Sequence, residues 1–286
     1  MRNSVLQQVP LAAERSIGQL LLKAGKISSA DIERVLNSQK NLGLRFGEAA
    51  IQLGLVTDND ILQVLAQQFA YPCLPLNSEI LDPELVAAFR PHDPEVEALR
   101  VLRSQIVLRW HNEPKSIVVT GARNGQGTSR VVANLAVVFS QMGERTLLID
   151  ADLRNPRQQH LFRLQNSPGL SDILASHANA DAIRHAKGMT NLSLLTAGTV
   201  PPNPQELLGR PTLVSLLDSI APQYDVILID TPPALDCSDA QILSARVGGA
   251  LIVARRHHAK IIDVEEVKRQ LDIAGVKMVG TVLNSY

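Results

Sequence analysis

A glycine-rich stretch between two apolar runs is the first part of this sequence that suggests ligand chemistry. Residues 121–130 read GARNGQGTSR, after SIVVT and before VVANLAVVF, so the stretch lies where a strand passes into a helix. A phosphate-binding loop occupies such a junction with the pattern G-x-x-x-x-G-K-[ST], in which lysine reaches the phosphates and the hydroxyl binds Mg²⁺. Here Gly127 and Ser129 keep their places, but Thr128 stands where lysine is expected. The stretch predicts a phosphate site that lacks its usual cation.

Aspartates follow two of the apolar runs farther along the chain. Asp150 and Asp152 end the run LLIDAD, and Asp230 ends ILID. A carboxylate at a strand end beside a phosphate-binding loop holds Mg²⁺ directly or through water. One such acid is a weak signal, because aspartate also caps helices. Together, behind a glycine-rich turn, these acids predict a Mg²⁺-dependent nucleotide site.

Nearby arginines are candidates to replace the missing lysine. Arg123 lies in the loop, Arg130 follows it, and Arg154 comes just after the second acid. Arginine also binds phosphate, although its planar guanidinium does so from a different distance than an ammonium group. The sequence leaves open which of these side chains reaches the phosphates.

The elements that would carry these residues alternate between apolar strands and helices from residue 115 onward. The strand candidates are KSIVVTGA, RTLLIDADLR, LSLLTAG, YDVILIDTPP, GALIVARR and VKMVGTVLN. Strands rich in Val, Ile and Leu and separated by helices predict an α/β fold with a doubly wound, mostly parallel sheet. Ligands of such sheets bind beyond the carboxyl ends of the strands. We expect this α/β domain to cover residues 94–286.

A proline-rich stretch, residues 76–93, predicts a linker in front of the α/β domain. The helix predicted after it contains EVEALRVLRSQIVLRW. Glu97, Arg100 and Arg103 recur at steps of three in this helix and therefore share one face. As a stripe of charges, that face is most simply a solvated surface with salt bridges.

The front of the chain contains an internal repeat. Residues 16–39 and 45–68 align with an offset of 29, which pairs glycines, aspartates and apolar positions. In each copy one helix is expected to end at a glycine, and the next begins with Ser or Thr followed by Asp three residues later. Two helix-turn-helix units of this kind predict a small all-α domain over residues 14–75.

The amino-acid composition limits the classes of function that this protein can have. Lys+Arg and Asp+Glu each number 28, so the formal net charge is zero and no basic excess indicates a nucleic-acid binder. The sequence shows no signal-peptide pattern and no apolar run long enough to cross a bilayer, so we expect a cytoplasmic protein. Cys73 and Cys237 lack metal-ligand spacing and are expected to be reduced thiols.

In order, the motifs EALRVLR, NGQGTSRVVANLA, LLIDADLRNPR, PPNPQELL and ILIDTPP resemble the cytoplasmic domain of bacterial tyrosine kinases. These kinases are P-loop proteins related to MinD and ParA, and the resemblance covers residues 94–284. The α repeat in front points to the chain-length determinant kinases of exopolysaccharide operons. The resemblance implies an ATP- and Mg²⁺-dependent protein tyrosine kinase that is recruited to the inner membrane by the cytoplasmic tail of a separate, membrane-anchored chain-length determinant protein.

The resemblance also implies roles for individual residues. Asp150 would lie near the attacking tyrosine hydroxyl as a catalytic base beside Asp152, and Mg²⁺ would be held by Ser129, Asp152 and Asp230. The phosphates would be surrounded by Asn124, Gly125, Gln126, Gly127, Thr128, Ser129 and Arg130.

Assembly is a further implication of the resemblance. Glu97, Arg100 and Arg103 match an E-x-x-R-x-x-R signature that packs subunits into a homo-oligomeric ring, so that a C-terminal tyrosine enters the neighbouring active site. Family kinases end in a tyrosine cluster, whereas Tyr286 is the only terminal tyrosine here.

The α repeat resembles the N-terminal domain of type II secretion and pilus-assembly ATPases, some of which bind cyclic di-GMP through an Arg-x-Gly turn in each half. Arg45 and Gly47 match that turn in the second copy. In the first copy Gly18 is preceded by Ser16 at the arginine position, with Arg15 one residue early. The alternative is a protein-docking module whose glycines only end helices.

Other functions stay open at this point. A nucleotide-binding pseudokinase scaffold, which assembles without phosphoryl transfer, is favoured by the missing lysine, whereas the intact acids favour the kinase. A ParA-like positioning ATPase needs a lysine early in the loop, where residues 121–124 offer only Arg123.

Overall fold

The computed structural model describes residues 16–68, 72–109 and 115–285. The chain forms two compact units, Met1–Asn77 and Ser78–Tyr286. Arg15 and Tyr286, to which the sequence assigned roles, lie outside the described residues. Within the described ranges, no helix combines the length and the apolar character that crossing a bilayer requires.

The first unit contains helices that match the two predicted helix pairs. They are α1 (Ile17–Lys23), α2 (Ser29–Leu42), α3 (Phe46–Gln52) and α4 (Asp58–Gln68). Their apolar faces pack around a small core formed by Leu21, Ile27, Val35, Ala49, Ala50, Val56 and Val64. Corresponding positions of the two repeat copies are therefore buried together.

The repeated glycines and aspartates end and begin these helices. Gly25 and Gly54 have φ angles of 68° and 67°, in the left-handed region that favours glycine at a helix end. The Ser28 hydroxyl accepts a hydrogen bond from the Asp31 N–H at 3.2 Å, and the Asp31 carboxylate accepts one from the Ser28 N–H at 3.0 Å. The second copy repeats this reciprocal capping, as the sequence predicts.

The second unit is built on a seven-stranded sheet. Its strands are β1 (Lys115–Gly121), β2 (Thr146–Asp150), β3 (Arg184–His185), β4 (Leu192–Leu195), β5 (Val226–Asp230), β6 (Gly249–Arg255) and β7 (Lys277–Asn284). Across the sheet the order is β3-β4-β2-β5-β1-β6-β7. Among the strands of the described residues, only β3 pairs in the antiparallel direction, with β4. The predicted mostly parallel sheet is confirmed, and the short strand β3 adds to it.

Helices precede and separate the strands of this sheet, and some of them pack against it. They are α5 (Val86–Phe89), α6 (Pro94–Arg109), α7 (Thr128–Ser140), α8 (Gln158–Leu161), α9 (Leu170–Leu174), α10 (Pro204–Leu208), α11 (Pro211–Ile220), α12 (Asp239–Val247) and α13 (Ile261–Ile273). Residues 131–140 of α7 are all buried, and every residue of β2 and β5 is buried as well. The helix that follows the glycine-rich loop is therefore fixed in the core of the unit.

The strand order brings the predicted site residues to one edge of the sheet. β5 lies between β1 and β2, and its last residue, Asp230, is in register with Asp150 on one side and Val119 on the other. The glycine-rich loop leaves β1 just beyond that level. Because parallel strands end at the same edge, the loop and the aspartates meet there.

Residues 78–93 belong to the second unit, which corrects the predicted linker over residues 76–93. Phe89 is buried, and α5 packs against α7. Asn134 of α7 accepts a hydrogen bond from the Ala87 N–H at 2.9 Å. The proline density placed the domain boundary at the wrong residue, because the prolines of this stretch separate short packed segments and do not mark a solvent-exposed linker.

A fragment that begins at residue 78 should fold stably, whereas one that begins at residue 94 should be destabilised. The shorter fragment loses Phe89 from the surface of α7 and leaves Asn134 without the Ala87 N–H. Removing a buried phenylalanine costs about 3–5 kcal/mol, which lowers the melting temperature of a domain of this size by about 10 °C. Scanning calorimetry of both fragments measures the difference, and equal melting temperatures would restore the linker assignment.

Candidate active site

The glycine-rich loop forms a tight turn between β1 and α7. Gly125 and Gly127 have φ angles of 81° and 79°, which side chains other than glycine rarely adopt. A Cβ atom added to Gly121 would lie 2.8 Å from the Thr128 hydroxyl oxygen, so the loop closes on itself where glycine leaves room. The turn therefore has the strand-to-helix geometry of a phosphate-binding loop, with Thr128 as the first residue of α7.

Gln126 anchors this loop to the end of β6, a contact that the sequence did not predict. Its side chain is buried, and its Oε1 accepts a hydrogen bond from the Arg255 N–H at 2.6 Å. Its Nε2 lies 3.2 Å from Nδ1 of His258. The Asn284 side chain, at the end of β7, donates to the Gln126 carbonyl at 3.0 Å. The sequence signal for this contact was the run ARRHH, which follows a predicted strand and therefore also lies at the carboxyl edge of the sheet.

Asp150 is completely buried and organises the segment that follows β2. Its carboxylate accepts hydrogen bonds from the N–H groups of Asp152 at 3.2 Å, Arg157 at 3.1 Å and Gln158 at 2.9 Å. Burial, followed by the charge of Asp230, raises the pKa of Asp150 well above its ordinary value. These contacts show a carboxylate that holds the segment from Asp152 to Gln158 in place.

Asp152 and Asp230 have different surroundings. Asp152 is buried, with 9% of its surface exposed, and its Oδ1 accepts from the N–H of Asn155 at 2.9 Å. Asp230 is completely buried, and its Oδ2 accepts from Nε2 of Gln158 at 2.6 Å. Burial raises the pKa of Asp230 to about 7, against the opposing effect of hydrogen bonds from Gln158 and Ser129.

The residues at this edge fit a Mg²⁺ ion that shares its coordination with phosphates. Oδ1 of Asp230 is buried without a hydrogen-bond partner, and the Ser129 side chain lies close enough to the same carboxyl group to lower its pKa. No cluster of His, Cys, Asp or Glu in the described ranges forms a metal site by itself. Mg²⁺ in phosphoryl-transfer sites takes one or two protein oxygens and completes its shell with phosphates and water. A hydroxyl with one unsatisfied carboxylate oxygen matches that requirement.

Each arginine that was a candidate to replace the lysine already forms an ion pair within the chain. Arg130 forms a bidentate ion pair with Glu95 of α6, at 2.5 and 2.8 Å. Arg154 pairs with the buried carboxylate of Asp239. Arg123 is the third, and its guanidinium lies 3.4 Å from Asp236 and 3.5 Å from Asp263. Each guanidinium is therefore balanced by a carboxylate of this chain.

The predicted oligomerisation residues also make contacts within the chain. Arg100 pairs with Glu97 at 2.6 Å on α6. Arg103 donates to the carbonyl oxygen of Val138 at 3.1 Å, which ties α6 to α7. The stripe is thus partly a salt-bridged surface and partly a packing contact.

The α unit places the glycines of the proposed cyclic di-GMP turns in packed positions. A Cβ atom added to Gly18 would lie 2.8 Å from the Phe46 ring, and one added to Gly47 would lie 3.3 Å from Ile61. Close helix packing therefore explains both glycines without a ligand. Arg45 is exposed, and its backbone N–H donates to the Glu48 carboxylate at 2.8 Å.

Comparisons with known proteins identify the family of the second unit. Residues 114–253 match the family model of an AAA domain. Tyrosine-protein kinase YwqD of Bacillus subtilis is 34% identical over 201 residues, which make up 70% of this chain and 85% of YwqD. The chain belongs to the bacterial tyrosine-protein kinase family. The resemblance seen in the sequence is confirmed.

Solved structures of this family and of a related ATPase share the fold. The kinase domain of Escherichia coli tyrosine kinase ETK superposes with a TM-score of 0.68 at 34% identity, covering 75% of this chain and 81% of that domain. Septum site-determining protein MinD of Pyrococcus horikoshii, complexed with Mg-ADP, superposes with a TM-score of 0.52 at 27% identity, covering 59% of this chain and 71% of MinD. Some relatives are much longer, and the matched residues span 28% of E. coli etk.

Proposed function

We propose that this member of the tyrosine-protein kinase family transfers the γ-phosphoryl group of ATP to tyrosine in a Mg²⁺-dependent reaction. The observation that carries the proposal is the meeting of the Ser129 side chain with Asp230, whose second oxygen is buried and unsatisfied, directly beside the glycine-rich turn. A hydroxyl and a strand-end carboxylate in this arrangement are the groups that a protein contributes to a Mg·nucleotide site. The glycines of the loop leave space for phosphates to approach the backbone.

The residues of this site have different roles. Ser129, Asp152 and Asp230 would hold Mg²⁺, which supplies positive charge to the phosphate oxygens when bound. The family resemblance implies that Asp150 is a base. Its carboxylate accepts hydrogen bonds from backbone N–H groups, and these contacts support a role in positioning its neighbours. It fixes Asp152 and the segment up to Gln158 relative to the loop.

We also propose partners and a cellular location for this chain. The chain would act on the cytoplasmic side of the inner membrane, with the cytoplasmic tail of a membrane-anchored chain-length determinant protein, in exopolysaccharide export. Neighbouring copies would pack through the α6 face that carries Glu97, Arg100 and Arg103. Cyclic di-GMP binding by the α unit stays a proposal supported by Arg45 and Gly47, and the docking role is better supported because packing accounts for the glycines.

A second candidate function is a nucleotide-binding scaffold that assembles without phosphoryl transfer. The specific observation in its favour is that Arg123, Arg130 and Arg154 all pair with carboxylates, so none of them supplies the charge of the missing lysine. A fixed cation that stabilises the transferred phosphoryl group commonly contributes about a hundredfold or more in rate. Binding without transfer is the outcome that this loss would produce.

Calorimetric titration with Mg·ATP followed by an anti-phosphotyrosine blot separates the two functions. We expect saturable, Mg²⁺-dependent ATP binding and phosphotyrosine on the chain itself or on the tail peptide of the membrane partner. Binding without phosphotyrosine would assign the scaffold function. Absence of ATP binding would contradict both.

A further inference from the structure

The carboxamide of Gln158 lies at the centre of the candidate active site, although no sequence pattern selects this residue. Its Nε2 donates to the Ser129 carbonyl oxygen at 3.1 Å and to Oδ2 of Asp230 at 2.6 Å. Its backbone N–H donates to Asp150 at 2.9 Å. Gln158 therefore joins the start of α7, the end of β2 and the end of β5.

The orientation of this side chain is fixed by its neighbours. The Ser129 backbone carbonyl can only accept hydrogen bonds, so the NH₂ group of Gln158 must face it, and the same group then reaches Oδ2 of Asp230. Its Oε1 then points away and is buried without a partner, as is Oδ1 of Asp230. Buried acceptors without donors are uncommon in folded proteins, and a bound water molecule or ion is one way to satisfy them.

We propose that Gln158 is a positioning residue of the metal site, which holds Asp230 against α7 through Nε2 and accepts a hydrogen bond from a Mg²⁺-bound water molecule through Oε1. The inference rests on the proposed function, since it assumes that Mg·nucleotide binds at this edge. Water bound to Mg²⁺ is a strong donor, and partners that orient the outer shell of a metal commonly change its affinity by about tenfold to a hundredfold.

Two substitutions at this position separate the donor from the acceptor. Gln158→Leu keeps most of the volume and removes both hydrogen-bonding groups, whereas Gln158→Glu keeps acceptor oxygens and removes the NH₂ donor. Titration calorimetry measures ADP affinity in Mg²⁺ and in EDTA, and the ratio of the two affinities reports the metal-dependent part alone. Gln141→Leu is the matched control, because Gln141 is a buried glutamine that hydrogen-bonds the Ala87 carbonyl at 2.8 Å.

In Gln158→Leu we expect the affinity ratio to fall by about tenfold while the affinity in EDTA stays within about twofold of the parent. Gln158→Glu should lower the ratio less than Gln158→Leu does, because it loses the Nε2 donor that holds Asp230 but keeps acceptor oxygens for the metal-bound water. Gln141→Leu should leave the ratio unchanged.

Three results would overturn the inference, and they can be told apart. An unchanged ratio in Gln158→Leu would exclude Gln158 from the metal site and leave the proposed function standing. Equal losses in Gln158→Leu and Gln158→Glu would show that the acceptor oxygen has no part in the site. A parent chain whose ADP affinity does not respond to Mg²⁺ would overturn both the proposed function and the inference.

Discussion

Replacing Thr128 with lysine is expected to tighten Mg·ATP binding by about tenfold to a hundredfold and to raise tyrosine phosphorylation. Thr128 is the first residue of α7, at the position from which a P-loop lysine reaches the β and γ phosphates. A charge-assisted hydrogen bond contributes about 1.5–3 kcal/mol, and about 1.4 kcal/mol corresponds to a factor of ten. Transfer should gain as well, because the added charge faces the negative charge of the transition state.

The ion pairs around the loop are the reason to expect a gain rather than crowding. Arg130 is held by Glu95 and Arg154 by Asp239, so each guanidinium already has a carboxylate partner within the chain when the new lysine is added. Thr128→Met is the matched control, since it adds similar length without charge. Titration calorimetry with Mg·ATP measures the effect, and equal affinities for parent and Thr128→Lys would mean that another cation already serves the phosphates.

Replacing Asp230 with asparagine is expected to remove the Mg²⁺-dependent part of nucleotide binding, with a loss of at least about tenfold in affinity. Asparagine keeps the size of the side chain and an acceptor for Gln158, but it lacks the carboxylate charge that a divalent cation needs. ADP titrations in Mg²⁺ and in EDTA measure the loss. Asp272→Asn is the control, because Asp272 is an exposed aspartate that pairs with Lys268 on α13.

The same substitution should stabilise the nucleotide-free fold at high pH. Burial raises the pKa of Asp230 from 3.8 to about 7, so the native state keeps a proton that the unfolded chain has already released. The unfolding free energy therefore decreases as pH rises from about 4 to about 7, by a few kcal/mol at most. Asp230→Asn should reduce this decrease, which denaturant unfolding at pH 5 and pH 8 would detect. Identical pH dependence in both proteins would contradict the buried, proton-retaining state of Asp230.

Much of the fold and half of the site follow from local sequence patterns. Apolar strands that end in aspartate predicted Asp150 and Asp230 at the same edge, because neighbouring parallel strands end together. The glycine spacing of residues 121–130 predicted the loop, and the spacing of Ser28 and Asp31 predicted a helix start. Each of these signals depends on residues that lie close together in the sequence.

The missed features depend on contacts between distant residues. Arg154 meets Asp239 across 85 positions, and Gln126 meets Arg255 across 129. No local pattern distinguishes an arginine that binds phosphate from one that pairs with a remote carboxylate. Gln158 was missed for the same reason, because its role comes from Ser129 and Asp230 rather than from its neighbours in the chain. The two-residue strand β3 is too short to carry a periodic signal.

We propose that a loop without the P-loop lysine still binds Mg·ATP for tyrosine phosphorylation. The most direct measurement is mass spectrometry of phosphotyrosine after incubation of the parent chain with Mg·ATP, beside Thr128→Lys and Asp152→Asn. We expect phosphotyrosine in the parent, more in Thr128→Lys, and none in Asp152→Asn or without Mg²⁺. Phosphotyrosine that is absent from both the parent and Thr128→Lys, while both bind Mg·ATP, would contradict the kinase function and leave the scaffold.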